Sequence, residues 1–428
     1  MGPTRDARCL ACDDTTCAFR PLVIQRRAVG PKDILIQIKF CGVCASDLWT
    51  ARSGQSVGCR TAFPFVPGHE IAGVVAAVGA DVEAFAVGDR VGVGCLVDSC
   101  QACGACDARD EHRCPGQVMT YASPDRHGRC GGSTPQTAGG YADRVVVQER
   151  FAIAIPAALP LEAAGPLMCA GTTAYAPLKR YGAGEGTRVG VVGLGGVGAM
   201  AVKLAKALGC EVTAISRSKK KAAAACKKFG ADRAAVLGEA AALDLVIDTV
   251  PVSHDLAAVR ALLDPTRGKL VLLGVHPQSF AANYVDKLLG GTAPVTMSWI
   301  GGTACTREVV DLARGRKIAP EIEVVPVSEL PAVLEAIDAG NDAGRRYVLD
   351  LATLPRARAR AGVLAGRREE VRRDRRGAAP QALLLLALRG EPRGRLRRRA
   401  DRARARRAPG SARREGAPRR VSLLRDVC

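Results

Sequence analysis

"GVVGLGGVGAMAVKLAKALG", Gly190–Gly209, decides how this chain is read. Gly193, Gly195 and Gly198 stand in a G-x-G-x-x-G spacing, with Gly196 and Val197 inside it. A run of small apolar residues precedes the glycines and a helix-forming pattern follows them. Strand, tight turn and helix together are the context in which this spacing binds a dinucleotide. The glycines permit the turn and let backbone N–H groups approach a pyrophosphate at the helix N-terminus.

Reading forward, "EVTAIS" is a second strand, and its tip carries Ser216, Arg217 and Ser218, then Lys219, Lys220 and Lys221. An NAD site places an acid there to accept from the ribose 2′-OH. Hydroxyls and cations suit a 2′-phosphate instead, so NADP(H) is the expected cofactor. Lys219 and Lys220 read as a solvated helix start. Beyond them "KKKAAAACKKFG" reads as a helix, and "LDLVIDTV" and "KLVLLGV" as strands. Strands alternating with helices predict a doubly wound parallel sheet. After about Ile300 come "REVVDLARG" (helix), "EIEVVPV" (strand), "LPAVLEAIDAG" (helix) and "RYVLDL" (strand).

Reading backward, "LEAAGPLMCAGTTAYAPLKRYG" is helical, with breaks expected at its prolines. Before it, "ILIQIKF", "AGVVAAVG", "DRVGVG" and "YADRVVVQ" read as short strands punctuated by Gly and Pro, so the first ~150 residues form a β-rich domain.

Seventeen cysteines without a recognisable secretory signal suggest metal binding rather than disulfides. Cys100, Cys103, Cys106 and Cys114 form C-x2-C-x2-C-x7-C in one loop. Four thiolates at that spacing can close tetrahedrally on Zn2+ and leave no open position, a structural site. An iron–sulfur cluster is the remaining alternative. Cys95, just outside the pattern, reads as a packed thiol. Cys9, Cys12 and Cys17 lack a fourth ligand at a sensible spacing and read as free cysteines.

The formal net charge of +20 suggests nucleic acid, but its location argues otherwise. From Arg356 to Cys428 there are 24 Arg, no Lys and 7 acids, so +17 of the charge lies there and the body is nearly neutral. This Arg/Ala/Gly/Pro stretch cannot bury a core and is expected to be disordered. RNA, membrane-surface or partner binding are the other readings for it. Its longest apolar run, "ALLLLAL", is too short to span a bilayer. A cytoplasmic protein with no membrane contact is expected, and nucleic acid only through the tail.

"CGVCASD", "VPGHEIAGVV", "VGDRVGVGCLVDSCQACGAC", "GGYAD" and "LMCAGTTAY", with the glycine stretch, resemble the zinc-dependent medium-chain alcohol dehydrogenases. The nearest branch is the cinnamyl alcohol dehydrogenase type with its aldehyde-reductase relatives. The resemblance runs from about residue 18 to residue 351. It implies a GroES-like β-rich catalytic domain (1–165, both zinc sites), a Rossmann NADP-binding domain (166–302) and a return to the catalytic domain (303–352); the Arg-rich tail (353–428) lies outside the resemblance. A homodimer is the usual assembly of the family.

By the same resemblance, Cys44, His69 and Cys169 match catalytic zinc ligands, and Glu70 the adjacent acid that can also ligate. Asp47 matches the acid that orients the ligand His. Ser46 matches the hydroxyl that bonds the substrate oxygen. Ser216, Ser218 and Lys221 match positions that hold the 2′-phosphate, with Arg217 replacing a small polar residue. Thr173, Val275, Ser298 and Ile300 fall where the family lines the nicotinamide, and Thr249 joins the cofactor contacts. Two zinc ions per chain, one catalytic and one structural, are implied.

The implied reaction interconverts primary alcohols, aromatic or allylic, and aldehydes by hydride transfer. Two positions depart from the branch. Ala45 and Trp49 stand where it usually has histidines, the second of them a proton relay to solvent. An indole N–H is a donor only and cannot relay, so proton delivery is expected through Ser46 and water. The departure leaves room for a reductase of C=N or conjugated C=C bonds. A decayed, tail-driven nucleic-acid-binding protein is the reading from a different class.

Overall fold

Two sheets divide the chain. The computed structural model describes residues 5–56, 59–129, 135–239, 242–289, 292–340 and 344–355, all within the unit Met1–Arg373. From residue 356 onward the tail, and with it the expectation of disorder, lies outside the described residues.

The second half of the chain builds a six-stranded parallel sheet. In chain order its strands are Arg188–Val192, Glu211–Ser216, Arg233–Val236, Leu245–Asp248, Lys269–Leu272 and Val295–Met297. Across the sheet they lie third, second, first, fourth, fifth, sixth, each pair parallel. That order reverses direction at the strand entering the glycine turn, where a doubly wound sheet opens a crevice for a dinucleotide. The central strands are apolar almost throughout because helices cover both faces, and Val189, Val191, Val246 and Ile247 are all buried.

The first half builds a seven-stranded sheet on Asp33–Gly42, which pairs antiparallel with Glu70–Val78, Arg144–Gln148 and Arg345–Asp350. The last of these, with its parallel neighbour Glu321–Pro326, returns the end of the body to this sheet. Ile34, Ile36, Ile71 and Val93 alternate inward to form its core. A second core joins the two halves: Ala72 and Ile153 pack with Leu167, Met168, Val191 and Val309.

Several local expectations change. An antiparallel hairpin, Arg5–Cys12 with Phe19–Arg26, opens the described chain where no strand was read. Cys9 and Cys12 are buried on it and Cys17 takes a positive φ in its turn; all three are free thiols. A helix, Ala45–Ser53, was also not anticipated. Asp47 starts it by accepting from Cys44 N at 2.9 Å, closing the first turn.

The expected proline breaks do not occur. Leu161–Pro166, a π turn at Leu167–Gly171 and Thr172–Arg180 run on as continuous helix. The wider π turn takes up the irregularity after Pro166, while Pro177 in the next segment withholds a single N–H. The body also extends past the expected tail boundary at 353, since Leu354 is buried and its carbonyl accepts from Arg8 Nη1 at 3.3 Å. Among the described residues, no helix is long and apolar enough to cross a membrane.

Candidate active site

The seven-stranded sheet gathers residues that are remote in sequence. Cys44 ends the loop after Asp33–Gly42, His69 and Glu70 open the next strand, and Cys169 sits in the π turn. The ligand-type atoms of all four lie within 4.8 Å of one another. His69 Nε2 is 3.0 Å from Cys169 Sγ, while its Nδ1 is 3.3 Å from Asp47 Oδ1. Asp47 is fully buried and is fixed by Cys44 N, Gly68 N (3.1 Å) and the hydroxyl of Tyr141 (2.9 Å). A carboxylate so held turns the imidazole and leaves Nε2 facing the thiols.

The thiols are polarised against each other. The hydrogen bond from Cys169, and the charge of Arg346, hold Cys44 well below the ordinary thiol range. Cys169 is pushed well above it by the same contact with Cys44. Cys95, read as packed, is indeed buried, and it lies beside Cys169, whose hydrogen bond lowers its pKa. Glu70 is fully buried. Its Oε1 pairs with Arg346 Nη2, while Oε2 finds no hydrogen-bond partner among the described residues. Burial raises the Glu70 carboxyl above its usual range against the pull of Arg346. Two thiols, one oriented imidazole and an orphaned carboxylate oxygen form a donor set that fits Zn2+ and could hold it.

Ser46 begins the helix beside Cys44, and its Oγ accepts from the Tyr121 hydroxyl at 3.3 Å. Tyr121 stacks edge-on against His69 (5.3 Å) and Phe65 (5.3 Å), and Phe65 against Phe63 (6.5 Å). On the same helix Ala45 faces the cleft that Cys44 lines, whereas Trp49 is 51% exposed.

A cleft of about 700 Å³ joins Cys44 to the glycine turn. It is lined by Gly193, Gly195, Gly196, Val197, Ser216, Arg217, Ser218, Lys221, Thr249 and Arg346, among others. Gly193 takes φ +83°, and a Cβ on Gly198 would meet Gly193 O at 1.9 Å, so both positions require glycine. Thr249 Oγ1 donates to the carbonyls of Val192 and Gly193, each at 3.0 Å, and ties the turn to the neighbouring strand. Ser218 caps the Lys219–Phe229 helix by accepting from Lys221 N.

The four expected nicotinamide neighbours stand outside the lining of this cleft. Thr173 is buried in the helix after Cys169, Val275 is 40% exposed, and Ser298 is half-buried. Ile300 packs into the same core as Cys44 and Cys169.

The second cysteine set is local. The Sγ atoms of Cys100, Cys103, Cys106 and Cys114 lie within 4.8 Å of one another. Gln101 and Arg109 take positive φ to curl the loop around them. Gly116 N donates to Cys114 Sγ at 3.3 Å and Cys106 lies 3.2 Å from Ser99 Oγ. Burial raises the Cys106 thiol, but hydrogen bonds from Ser99, Cys103 and Cys114 outweigh it and bring it down to about 6. Four thiols gathered on one loop and supported by hydrogen bonds suit a structural Zn2+.

Arg346, Tyr121 and Tyr141 belong to this site but were given no role in the sequence reading. Tyr141 stood in plain view in "GGYAD". Arg346 had one signal, a charged residue at the head of the strand "RYVLDL".

Residues 30–157 match the alcohol dehydrogenase GroES-like domain, and residues 196–314 the zinc-binding dehydrogenase family. Mannitol dehydrogenase of Apium graveolens is 41% identical over 81% of this chain and 94% of its own length. Cinnamyl alcohol dehydrogenase 2 of Rauvolfia serpentina is 40% identical over 80% and 94%. Among solved structures, cinnamyl alcohol dehydrogenase of Sorghum bicolor superposes with a TM-score of 0.73 at 36% identity, covering 82% of this chain and 99% of that one. The Helicobacter pylori enzyme complexed with NADP(H) gives a TM-score of 0.73 at 35% identity, with the same coverage.

Proposed function

Because the chain belongs to the zinc-dependent medium-chain alcohol dehydrogenases, in their cinnamyl alcohol dehydrogenase branch, we propose that the Cys44–His69–Cys169 centre is where it interconverts alcohols and aldehydes. The protein is an oxidoreductase that uses zinc and NADP(H). The observation that carries the assignment is the continuity of the site: one cleft runs from Cys44 past the glycine turn to Ser216, Ser218 and Lys221.

When bound, zinc supplies Lewis acidity at the substrate oxygen, and NADP(H) gives or takes the hydride. The chain supplies the rest. Cys44, His69 and Cys169 hold the metal, Glu70 stands by as an alternative ligand, and Asp47 keeps His69 in one tautomer. Ser46, two residues after Cys44 in the first turn of the helix, exchanges the alcohol proton. Tyr121 donates to Ser46 and so frees the Ser46 proton to face the substrate. Trp49 carries no relay, and the proton passes from Ser46 to water. Ser216, Arg217, Ser218 and Lys221 take the 2′-phosphate. Thr173, Val275, Ser298 and Ile300 stand outside the lining of the cleft, and their place beside the nicotinamide rests on the family resemblance alone. The Cys100–Cys114 loop holds a second, structural zinc, for a count of two.

The substrate class is aromatic or allylic. The aromatic series Tyr121, Phe65 and Phe63 beside His69 supports it, as do Met119 and Trp299 packed against the core that holds the ligands. Residues 1–165 and 303–352 form the catalytic domain and 166–302 the cofactor domain, a division that sheet membership supports. A homodimer is supported by Phe280, Tyr284 and Leu288, exposed at helical spacing on Pro277–Leu288. Cysteines that must stay reduced to bind zinc, in both sets, support a reducing, cytoplasmic setting.

The test is loss of NADPH absorbance with cinnamaldehyde, a sugar alcohol run in reverse, a cyclic imine and a conjugated enone, each with and without a chelator. Chelator-sensitive turnover fastest on the aldehyde is expected. Faster turnover of the imine or enone would move the assignment to the reductase alternative. No turnover on any of them by zinc-loaded protein would leave only the binding-protein reading.

A further inference from the structure

Away from the dinucleotide cleft, a cavity of about 550 Å³ opens where the Cys100–Cys114 loop meets the Thr303–Arg316 helix. Three guanidiniums line it: Arg109 from the loop, Arg150 from the segment after Arg144–Gln148, and Arg307 from the helix. Their charge is poorly matched. Arg150 Nε lies 3.5 Å from the buried Glu111, which also receives Thr303 N and Oγ1. Among the described residues, Arg307 donates to neutral oxygens only: Thr303 Oγ1 at 3.3 Å and the carbonyls of Arg150 and Ala152 at 3.2 and 3.4 Å. The Arg109 guanidinium makes no hydrogen bond or ion pair within the described residues, and its Nη1 is shut from solvent.

Among the described residues, Glu111 is therefore the one carboxylate within ion-pair distance of these three guanidiniums, and Lys32 adds a fourth cation to the lining. Burial first, and then the charges of Arg109 and Arg150, hold the Arg307 guanidinium below its ordinary value against the pull of Glu111. The lining acids Glu83, Glu149 and Asp311 form no ion pair with these guanidiniums among the described residues. Glu149 Oε2 is occupied by the amides of Glu83 and Ala84, at 3.0 and 2.8 Å. Glu83 and Asp311 are exposed. Repelling guanidiniums held together by a fold persist where an anion completes them, and their planar forks match phosphoryl oxygens.

We propose that this cavity is a second ligand site, for a phosphomonoester of a small organic molecule, independent of the assignment of the catalytic cleft. The arginines take the phosphoryl group. The volume far exceeds one phosphate and is that of a small-molecule site. Phe85, Ile153 and Val310 give it an apolar wall for the ester's body. Such a ligand bridges the cysteine loop to the helix that also packs on the Cys169 segment, where Thr306 Oγ1 meets Thr172 Oγ1 at 3.2 Å.

Zinc-loaded protein saturated with NADP+ is titrated calorimetrically with phenyl phosphate and, separately, with inorganic phosphate. Saturation of the cofactor blocks the 2′-phosphate site. One saturable site for phenyl phosphate is expected, with inorganic phosphate at least ~10-fold weaker. Arg109→Gln removes a side chain that bonds nothing in the fold, and should weaken phenyl phosphate at least ~10-fold with NADP+ affinity unchanged. Asp311→Asn should strengthen it by roughly twofold, by removing a rim repulsion. Absence of saturable binding, or binding that Arg109→Gln leaves intact, overturns the site. Equal affinity for the two phosphates overturns the ester.

Discussion

The two cysteine-containing centres are built in opposite ways. Cys100, Cys103, Cys106 and Cys114 come from one loop, and their geometry is a property of fifteen consecutive residues. Cys44, His69, Glu70 and Cys169 come from a strand end, a second strand and a π turn, and meet only when the seven-stranded sheet and the helical segment behind it are in place. The local set is furnished inward, with N–H and O–H donors on its sulfurs. The dispersed set is furnished outward: a buried carboxylate aims the imidazole, and Cys44 lines a cleft of about 700 Å³. A closed donor set stabilises and an open one reacts. The contrast teaches that the cost of a catalytic centre lies in the fold that assembles it, while a structural centre can help to assemble the fold.

That contrast predicts a crossed pair of defects. Cys44→Ser should lower kcat/KM by at least ~10³-fold, about 4 kcal/mol of lost transition-state stabilisation, with Tm shifted little. Cys103→Ser should do the reverse. Its Tm should fall by ~10 °C or more, because metal binding energy there is folding energy, while the folded fraction keeps most of its activity. Steady-state kinetics on active-site-titrated protein and a thermal melt read the two axes. If Cys103→Ser loses activity in proportion to Cys44→Ser at low temperature, the local centre is not merely structural.

The next effect is smaller and lies within the dispersed centre. Asp47 touches no substrate, but it holds Cys44 N, Gly68 N, the Tyr141 hydroxyl and His69. Asp47→Asn brings an amide N–H2 against at least one of those donors and loosens the imidazole. Zinc affinity and kcat/KM should each fall roughly 10- to 100-fold. Excess zinc should then restore a large part of the activity, as it could not where a ligand itself is gone. A loss of activity without a loss of zinc affinity would give Asp47 a direct part in the chemistry instead.

The same division explains what the sequence disclosed. The glycine turn and the four-cysteine loop are short-range: their residue types, spacing and flanking periodicity state their geometry. The parallel sheet follows, since buried strands such as "TRVGVVG" must be covered on both faces. The dispersed centre was legible only by resemblance, because no spacing links residues 44, 69 and 169. Arg346, Tyr121 and Tyr141 stayed silent for a related reason. Each joins the site through long-range contacts, Arg346 to Glu70, Tyr121 to Ser46 and His69, and Tyr141 to Asp47, and such contacts leave no local pattern. The N-terminal hairpin was missed because "CLACDDTTC" looked like metal spacing rather than a strand and turn. The prolines of the Leu161–Arg180 segment misled in the other direction, since a π turn accommodates what a regular helix would break.

The smallest expected effect lies at the far end of the cleft, where the comparison concerns one cofactor against another. Ser218 is a poor probe there, because its side chain also accepts from Lys221 N and caps the helix. Replacing it would confuse a lost cap with a lost phosphate contact. Lys221 lines the cleft and stands in the first turn of that helix, so Lys221→Ala keeps the backbone and the cap. An exposed cation on a phosphate is worth on the order of 1–1.5 kcal/mol, which is roughly a tenfold rise in KM for NADPH. KM for NADH and kcat with either cofactor should hold, because the 2′-position takes no part in hydride transfer. The wild-type preference for NADPH should also weaken as salt rises, and the variant's smaller preference should depend on salt less steeply. An equal rise in KM for both cofactors would mean that Lys221 reads the pyrophosphate or the helix, and that discrimination rests on Arg217 and the two serines.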